Sequence, residues 1–304
     1  MISDGAIDAL EIPGRTLAAA VATVGGTGVT VRGERPAGGG SINRTSVLEL
    51  SDGSHLFLKA NDRAPAGLFR EEARGLLALA AAEGPRVPRP LALFTDGGAR
   101  YLLLEHIDTG RRAAGFDHSF GVALAQLHRS ARADHCGFSN HNHIGATEQR
   151  NTLERDWHRF FGVHRLEFQM ALARDRGYGD AAMHTQLTRL VQRLPELIPV
   201  PDHGGPSLLH GDLWSGNYLV GADGAPVLID PAVYYGHREA DLAMTELFGG
   251  FGEGFYRGYH EYWPLEPGYA ERRDIYNLYH LLNHLNLFGS SYLGSCMAIL
   301  RRFQ

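Results

Sequence analysis

His210-Gly211-Asp212-Leu213-Trp214-Ser215-Gly216-Asn217 is followed by a run that turns at Asp223-Gly224 and ends at Asp230. If Asp223 and Gly224 form a two-residue turn, the flanking strands pair so that Asn217 lies directly opposite Asp230. A four-residue loop from Ala222 to Ala225 keeps the same register. Opposed residues have Cα atoms about 4.5–5.5 Å apart, so the open end of the hairpin carries an amide oxygen beside a carboxylate. Asp212 stands just before it. Two oxygen ligands, with room for waters and phosphate oxygens, are the usual way a protein holds Mg²⁺. The layout is that of a phosphoryl-transfer loop: Asp212 takes or orients the acceptor hydroxyl proton, Asn217 and Asp230 hold Mg²⁺, and ATP is the donor. The plainer alternative, an acidic loop whose Asp and Asn cap a turn, leaves the combined spacing of loop and hairpin unexplained.

Upstream, Lys59 ends the apolar run Leu56-Phe57-Leu58, where an unpaired ammonium is costly to bury. In the helix expected over Leu68 to Ala82, residues Phe69, Glu72, Ala73, Leu76 and Ala80 share one face, so Glu72 points inward and Glu71 outward. Lys59 paired with Glu72 and reaching the nucleotide phosphates satisfies both charges. The loop Gly38-Gly39-Gly40-Ser41-Ile42-Asn43 joins two antiparallel strands, and its glycines let backbone amides approach phosphate oxygens. The nucleotide contacts expected there fall on Gly39, Gly40, Ser41 and Asn43. No Gly-Lys-Ser/Thr follows, and a strand rather than a helix comes next, which excludes a Walker A loop and a dinucleotide fingerprint. Leu102 to Ile107 fits a hinge that reads adenine through the backbone of Glu105 and Ile107. A buried strand end is the other reading of that segment.

These pieces imply an α+β, protein-kinase-like fold of two lobes. The first, residues 1–107, is a small antiparallel β-sheet lobe for the nucleotide. Its strands are expected over Gly28–Arg32, Ile42–Leu50, Leu56–Lys59 and Ala92–Ile107. The second, residues 108–304, is larger and helical, carrying catalysis and the acceptor. The 304 residues, 44% hydrophobic, suffice for two cores, and a net charge of -5 argues against a nucleic-acid face. No apolar stretch reaches membrane-span length. Leu17 to Val24 lacks the basic start of a signal peptide and reads as a short helix. Two distant cysteines, Cys136 and Cys296, fit a reducing cytoplasm. His135, Cys136, His141 and His143 match no zinc spacing and read as a polar loop. Only ten residues separate Asp230 from Asp241, too few for a peptide-binding activation segment, which supports a small-molecule acceptor. Trp214 offers it a flat apolar face, or else anchors a core. His284 lies on the aromatic-rich run Tyr276 to Phe288, which either closes the acceptor pocket or is a packed structural helix.

At this point the residues resemble the fructosamine (ketosamine) kinases, relatives of the aminoglycoside phosphotransferases. Gly40-Ser41-Ile42-Asn43 looks like that family's glycine loop, and Phe69-Arg70-Glu71-Glu72 like its helix glutamate. Similar again are Gly137-Phe138, Asn142-His143-Ile144-Gly145, Gln149-Arg150-Asn151, Asp156-Trp157 with Phe160-Phe161, the loop His210 to Asn217, Gly236 to Met244, and Leu282 to Ser290. The resemblance runs from about Gly28 onward. It implies ATP-dependent phosphorylation of the sugar 3-hydroxyl of ketosamines, free or protein-bound, giving an unstable product and hence deglycation. Asn142 to Gly145 and Asn283 to Gly289 are expected to set the acceptor preference, with Trp214 and His284 shaping it. Ser41 stands where some relatives carry a redox-sensitive cysteine, so that switch is not implied. Two other readings stay open: phosphorylation of another hydroxylated amine such as an aminoglycoside, and a nucleotide-binding pseudokinase.

Overall fold

The computed structural model describes residues 2–12, 16–38, 43–63, 65, 67–202 and 204–303. First along the chain come α1 (Asp4–Asp8), α2 (Leu17–Gly25), β1 (Val31–Pro36), β2 (Arg44–Leu50), β3 (His55–Asn61) and α3 (Leu68–Ala80). Next are β4 (Pro90–Asp96), β5 (Ala99–Glu105), α4 (Phe116–Ser130), β6 (Asn142–Ile144) and β7 (Thr147–Gln149). A π-helical turn, Gly162–Glu167, links α5 (Trp157–Phe161) to α6 (Phe168–Asp175), and α7 (Ala181–Leu197) follows. The last elements are β8 (Ser207–Leu209), β9 (Tyr218–Val220), β10 (Pro226–Leu228), β11 (Tyr234–Gly236), α8 (Glu239–Leu247), α9 (Glu253–Tyr262), α10 (Tyr269–Phe288) and α11 (Leu293–Arg302). They group into two compact units, one of Met1–Phe116 with Gly216–Pro231 and one of Asp117–Ser215 with Ala232–Gln304.

This grouping differs from a division at residue 107, for a hydrogen-bonding reason. The Gly110 N–H donates to the Val220 carbonyl at 3.0 Å, and Leu228 N–H to the Arg86 carbonyl at 2.8 Å. The β9–β10 hairpin and residues 108–116 are therefore tied to the first unit. There the strands form an antiparallel sheet in the order β1-β2-β3-β5-β4. Alternation sends Leu48, Leu50, Leu56 and Leu58 to one face, where they pack with Ala20 and Val21 of α2. The intervening residue Lys59 therefore points to the face covered by α3, whose Phe69, Ala73, Leu76 and Leu79 are buried. The first strand lies later than Gly28–Arg32: Gly28 takes a left-handed φ of 90° that ends the preceding turn, and a bulge falls between Val31 and Gly33. Pro36 is tolerated because β1 is an edge strand.

The second unit is mostly helical. Its longest helix, α10, buries Ile275, Tyr276, Leu278, Tyr279, Leu282 and Leu285, and Tyr276 meets Trp157 and Phe161. The buried Arg272 holds Glu239 at the start of α8 through two bonds of 2.6 and 2.5 Å, a paired fork that offsets the cost of burying both charges. No helix among the described residues is long and apolar enough to cross a membrane. Helices α4 and α9 approach closely because each presents a glycine. A Cβ on Gly121 would stand 1.9 Å from the Phe255 carbonyl oxygen, and one on Gly258 2.2 Å from that of His118. Gly121→Ala should therefore destabilise the protein by about 1–3 kcal/mol through overpacking. Urea denaturation checks this, and an unchanged midpoint would contradict the close crossing.

Candidate active site

In the first unit Lys59 is 4% exposed, and its ammonium lies 2.5 Å from Glu72 Oε1 and 2.5 Å from Asp230 Oδ1. Burial alone would pull its pKa down, but the two carboxylates overcome that and hold it above the ordinary lysine value. Burial also pushes the Glu72 carboxyl up, against the pull of Lys59. Asp230 is the one non-glycine residue among those described with a left-handed backbone, at φ 54°. An L-residue held there costs about 1–3 kcal/mol, and such strain persists where the surroundings over-determine it.

The β9–β10 register differs from the expected one by one residue. Tyr218 pairs with Leu228, so Asn217 falls opposite Ile229, whose N–H donates to the Asn217 carbonyl at 3.0 Å. The cause is the loop. Gly221 N–H donates to the Ala225 carbonyl, leaving a three-residue turn of Ala222, Asp223 and a left-handed Gly224, closed by Asp223 Oδ1 accepting from Ala225 N–H. Asn217 and Asp230 are thus diagonal neighbours rather than a directly opposed pair. Asn217 is buried, and the Asp230 side chain is 43% exposed. An amide and a carboxylate are hard oxygen donors and suit Mg²⁺. No group of three or more His, Cys, Asp or Glu able to hold a metal occurs among the described residues. A two-ligand set fits an ion that completes its shell with phosphates and water.

Of the other nucleotide candidates, Gly39, Gly40 and Ser41 lie outside the described residues. Asn43 accepts a 2.8 Å hydrogen bond from the Asn61 amide, which ties the end of that loop to the end of β3. At the end of β5, the Glu105 N–H donates to the Arg89 carbonyl, and its carboxylate accepts from Arg86 and from Arg89 N–H. Ile107 is buried two residues on.

In the second unit, Asp212 sits on a loop built by hydrogen bonds to its backbone. The buried Asp241 carboxylate accepts from His210 N–H at 2.7 Å and from Gly211 N–H at 2.8 Å. Asp241 is in turn 3.2 Å from His128 Nε2, whose Nδ1 meets the Tyr259 hydroxyl at 2.8 Å. Gly211, at φ 83°, admits no side chain: a Cβ would lie 2.0 Å from the Ala232 carbonyl oxygen. The Asp212 side chain, a fifth exposed, has its Oδ1 3.9 Å from the Nδ1 of the buried His280. Trp214 is 38% exposed, too open for a core anchor. His284 is half-buried on α10 amid aromatic rings. Asp241, His128 and His280 escaped the reading of the sequence. The available signal was an acid flanked by apolar residues early in a helix, which on burial must find donors. By contrast Asn142 belongs to the interior. It donates to the Val233 carbonyl and accepts from Gln149 and Asn151, while Asn283 accepts from Gln169. Those motif residues hold the backbone after Asp230 and the helix packing, and among the tail residues it is His284 that stands amid part-exposed rings.

A family model described as fructosamine kinase matches residues 14–304. The chain is 40% identical over 290 residues to "Probable ketoamine kinase" of Synechocystis sp., covering 95% of this chain and 96% of that one. It is 43% identical over 267 residues to "Protein-ribulosamine 3-kinase, chloroplastic" of Arabidopsis thaliana, covering 86% and 80%. The crystal structure of "Putative fructosamine-3-kinase" from Haemophilus somnus superposes with a TM-score of 0.84 at 28% identity, covering 95% and 96%.

Several histidines of the second unit are buried neutral. Burial pulls His237 and His280 down to about 3, and lowers His128 against the opposing pull of Asp241. Unfolded, each titrates near about 6.5. Between the two values the unfolded chain binds protons that the folded chain excludes. For His237 and His280 the stability is therefore full above about pH 6.5 and falls as the pH drops toward 3, by about 1.4 kcal/mol per pH unit for each of the two. His237→Gln should flatten the dependence between pH 6 and 4 by one such increment. Urea unfolding at stepped pH measures it, and an unchanged slope would contradict a neutral, buried His237.

Proposed function

The chain belongs to the fructosamine kinase family, and on that premise we propose that Asp212 is the base through which it phosphorylates the 3-hydroxyl of a ketosamine with ATP. It is an ATP-dependent phosphotransferase with an alcohol acceptor. The observation that carries the assignment of roles is the buried Lys59 bonded to both Glu72 and Asp230, an arrangement costly unless it serves a site.

The hydroxyl proton passes to Asp212 as the sugar oxygen bonds to the γ-phosphorus. The bond from phosphorus to the β–γ bridging oxygen breaks, and ADP leaves. Lys59, held by Glu72, meets the phosphate oxygens, backbone amides of Gly39, Gly40, Ser41 and Asn43 are assigned to the same phosphates, and the backbone of Glu105 and Ile107 to the adenine. Asn217 and Asp230 would hold Mg²⁺, which when bound neutralises charge on the phosphates. Asp241 fixes the Asp212 loop by taking two backbone N–H groups. Trp214 and His284 contact the acceptor. Two free buried thiols, Cys136 and Cys296, support a reducing, cytoplasmic setting. The phosphorylated ketosamine is unstable, so the reaction releases the sugar from the amine.

Asp212→Asn should lower kcat by about a hundredfold or more while ATP still binds, the range for loss of a positioned base. Comparable turnover in variant and wild type would remove Asp212 from the mechanism. Asp230→Ala should blunt the dependence of the rate on Mg²⁺, and Lys59→Met should raise KM for ATP. A Mg²⁺ titration indistinguishable from wild type would exclude Asp230 as a ligand. The acceptor class is tested by ATP consumption across fructosyl-amines, ribulosyl-amines and aminoglycosides. Turnover with the ketosamines supports it, and turnover confined to aminoglycosides would overturn it.

A further inference from the structure

Four rings of the second unit, His284, Phe248, Phe288 and Tyr292, gather in one cluster. The His284 centroid lies 4.8 Å from that of Phe248, 5.3 Å from Phe288 and 5.1 Å from Tyr292. Phe288 is 52% exposed and Phe248 39%, so faces that could have been buried are offered to solvent. The tautomer of His284 follows from its partner. Nδ1 is 2.8 Å from the His280 carbonyl oxygen, which only accepts, so Nδ1 carries the hydrogen. The neutral ring then presents Nε2 as an acceptor among the aromatic faces. Burial lowers the pKa of His284 and favours this uncharged form.

The position is set by α10. His280 Nδ1 lies 3.9 Å from Asp212 Oδ1, and His284 stands one helical turn further, about 6 Å along the axis. The segment carrying Phe248 also packs beside the Trp214 loop, since a Cβ on Gly250 would lie 2.4 Å from Ser215 Cβ. In a ketosamine, four bonds separate the 3-hydroxyl oxygen from the amine nitrogen, a reach of about 5 Å. That nitrogen is a secondary ammonium at neutral pH. It needs an acceptor for its N–H and favours aromatic faces over its charge.

The geometry points to the cluster of His284, Phe248, Phe288 and Tyr292 as the subsite for the protonated amine of the ketosamine. His284 Nε2 accepts its N–H while the rings face its charge. This rests on the ketosamine reading of the Asp212 site and adds what selects a ketosamine over the plain ketose. Beyond the nitrogen, the exposed edges of Phe248 and Phe288 leave the amine substituent open to solvent, as an amine on a protein side chain requires.

The test compares a fructosyl-alkylamine with its nitrogen-free counterpart, the 1-deoxyketose, in wild type, Phe288→Leu, Phe288→Tyr and Phe248→Leu. Phe288 is half exposed, so its replacement removes little buried surface, and an unchanged urea midpoint checks that each variant is folded. Each Leu variant should raise KM for the ketosamine about fivefold or more, leave kcat within about twofold, and leave kcat/KM for the deoxyketose unchanged. Phe288→Tyr, which keeps a ring face, should behave as wild type. Equal losses on both sugars, or no loss on either, would overturn the subsite while leaving ketosamine phosphorylation standing. Failure of wild type to phosphorylate any ketosamine would overturn both.

Discussion

One buried ammonium organises the first unit. Lys59 sits on a strand face that the alternation of β3 turns toward α3, and it has no acceptable state there without carboxylates. Glu72 answers from α3 and Asp230 from the segment after β10. Three parts of the chain separated by up to 171 positions thus meet at one nitrogen. Removing Glu72, the buried partner, would leave the ammonium with only the part-exposed Asp230 carboxylate. The left-handed backbone of Asp230 is intelligible on the same terms, because an aspartate tolerates that conformation better than most residues. The hairpin before it is fastened to the first unit through Gly110, Ala113 and Arg86 rather than left with the helices on either side of it in sequence.

The second unit uses the converse device, a buried anion that collects donors. Asp241 takes two consecutive backbone N–H groups of the Asp212 loop and leans on His128, which in turn meets Tyr259. Burial would raise the Asp241 carboxyl, but these donors hold it below the usual carboxylate range, so it stays charged and keeps its grip on the loop. Nearby, the carbonyls of Ala232 and Val233 are held by Gln149 and Asn142, and Gln149 is fixed by the Tyr279 hydroxyl. Loop and carbonyls are set by groups that need never touch a substrate.

Periodicity made much of this legible. The apolar run ahead of Lys59 marked its ammonium as needing a partner, and a helical period turned Glu72 rather than Glu71 toward it. The two-lobed kinase-like architecture followed from the same patterns and matches that of the solved relative. What periodicity does not carry is loop geometry. Whether Asp223-Gly224 closes a two-residue or a three-residue turn depends on whether Asp223 joins Gly224 in the left-handed region, which it does not, and that one choice moved Asn217 from opposite Asp230 to opposite Ile229. Likewise the motif around Asn142 looked like acceptor machinery because nucleotide chemistry does not need it. Its side chains point inward because an amide can satisfy backbone carbonyls as well as it can a ligand. The role of Asp241 was harder to read, because the donors it collects are backbone groups 30 and 31 positions away.

The most direct measurement of the central claim is the site of phosphorylation itself. Phosphorus–proton correlation NMR, run on the protein with ATP, Mg²⁺ and a fructosyl-amine before the product decays, should place the new phosphorus signal on the proton of sugar carbon 3. A phosphorus coupled to any other sugar position, or release of inorganic phosphate alone, would contradict it.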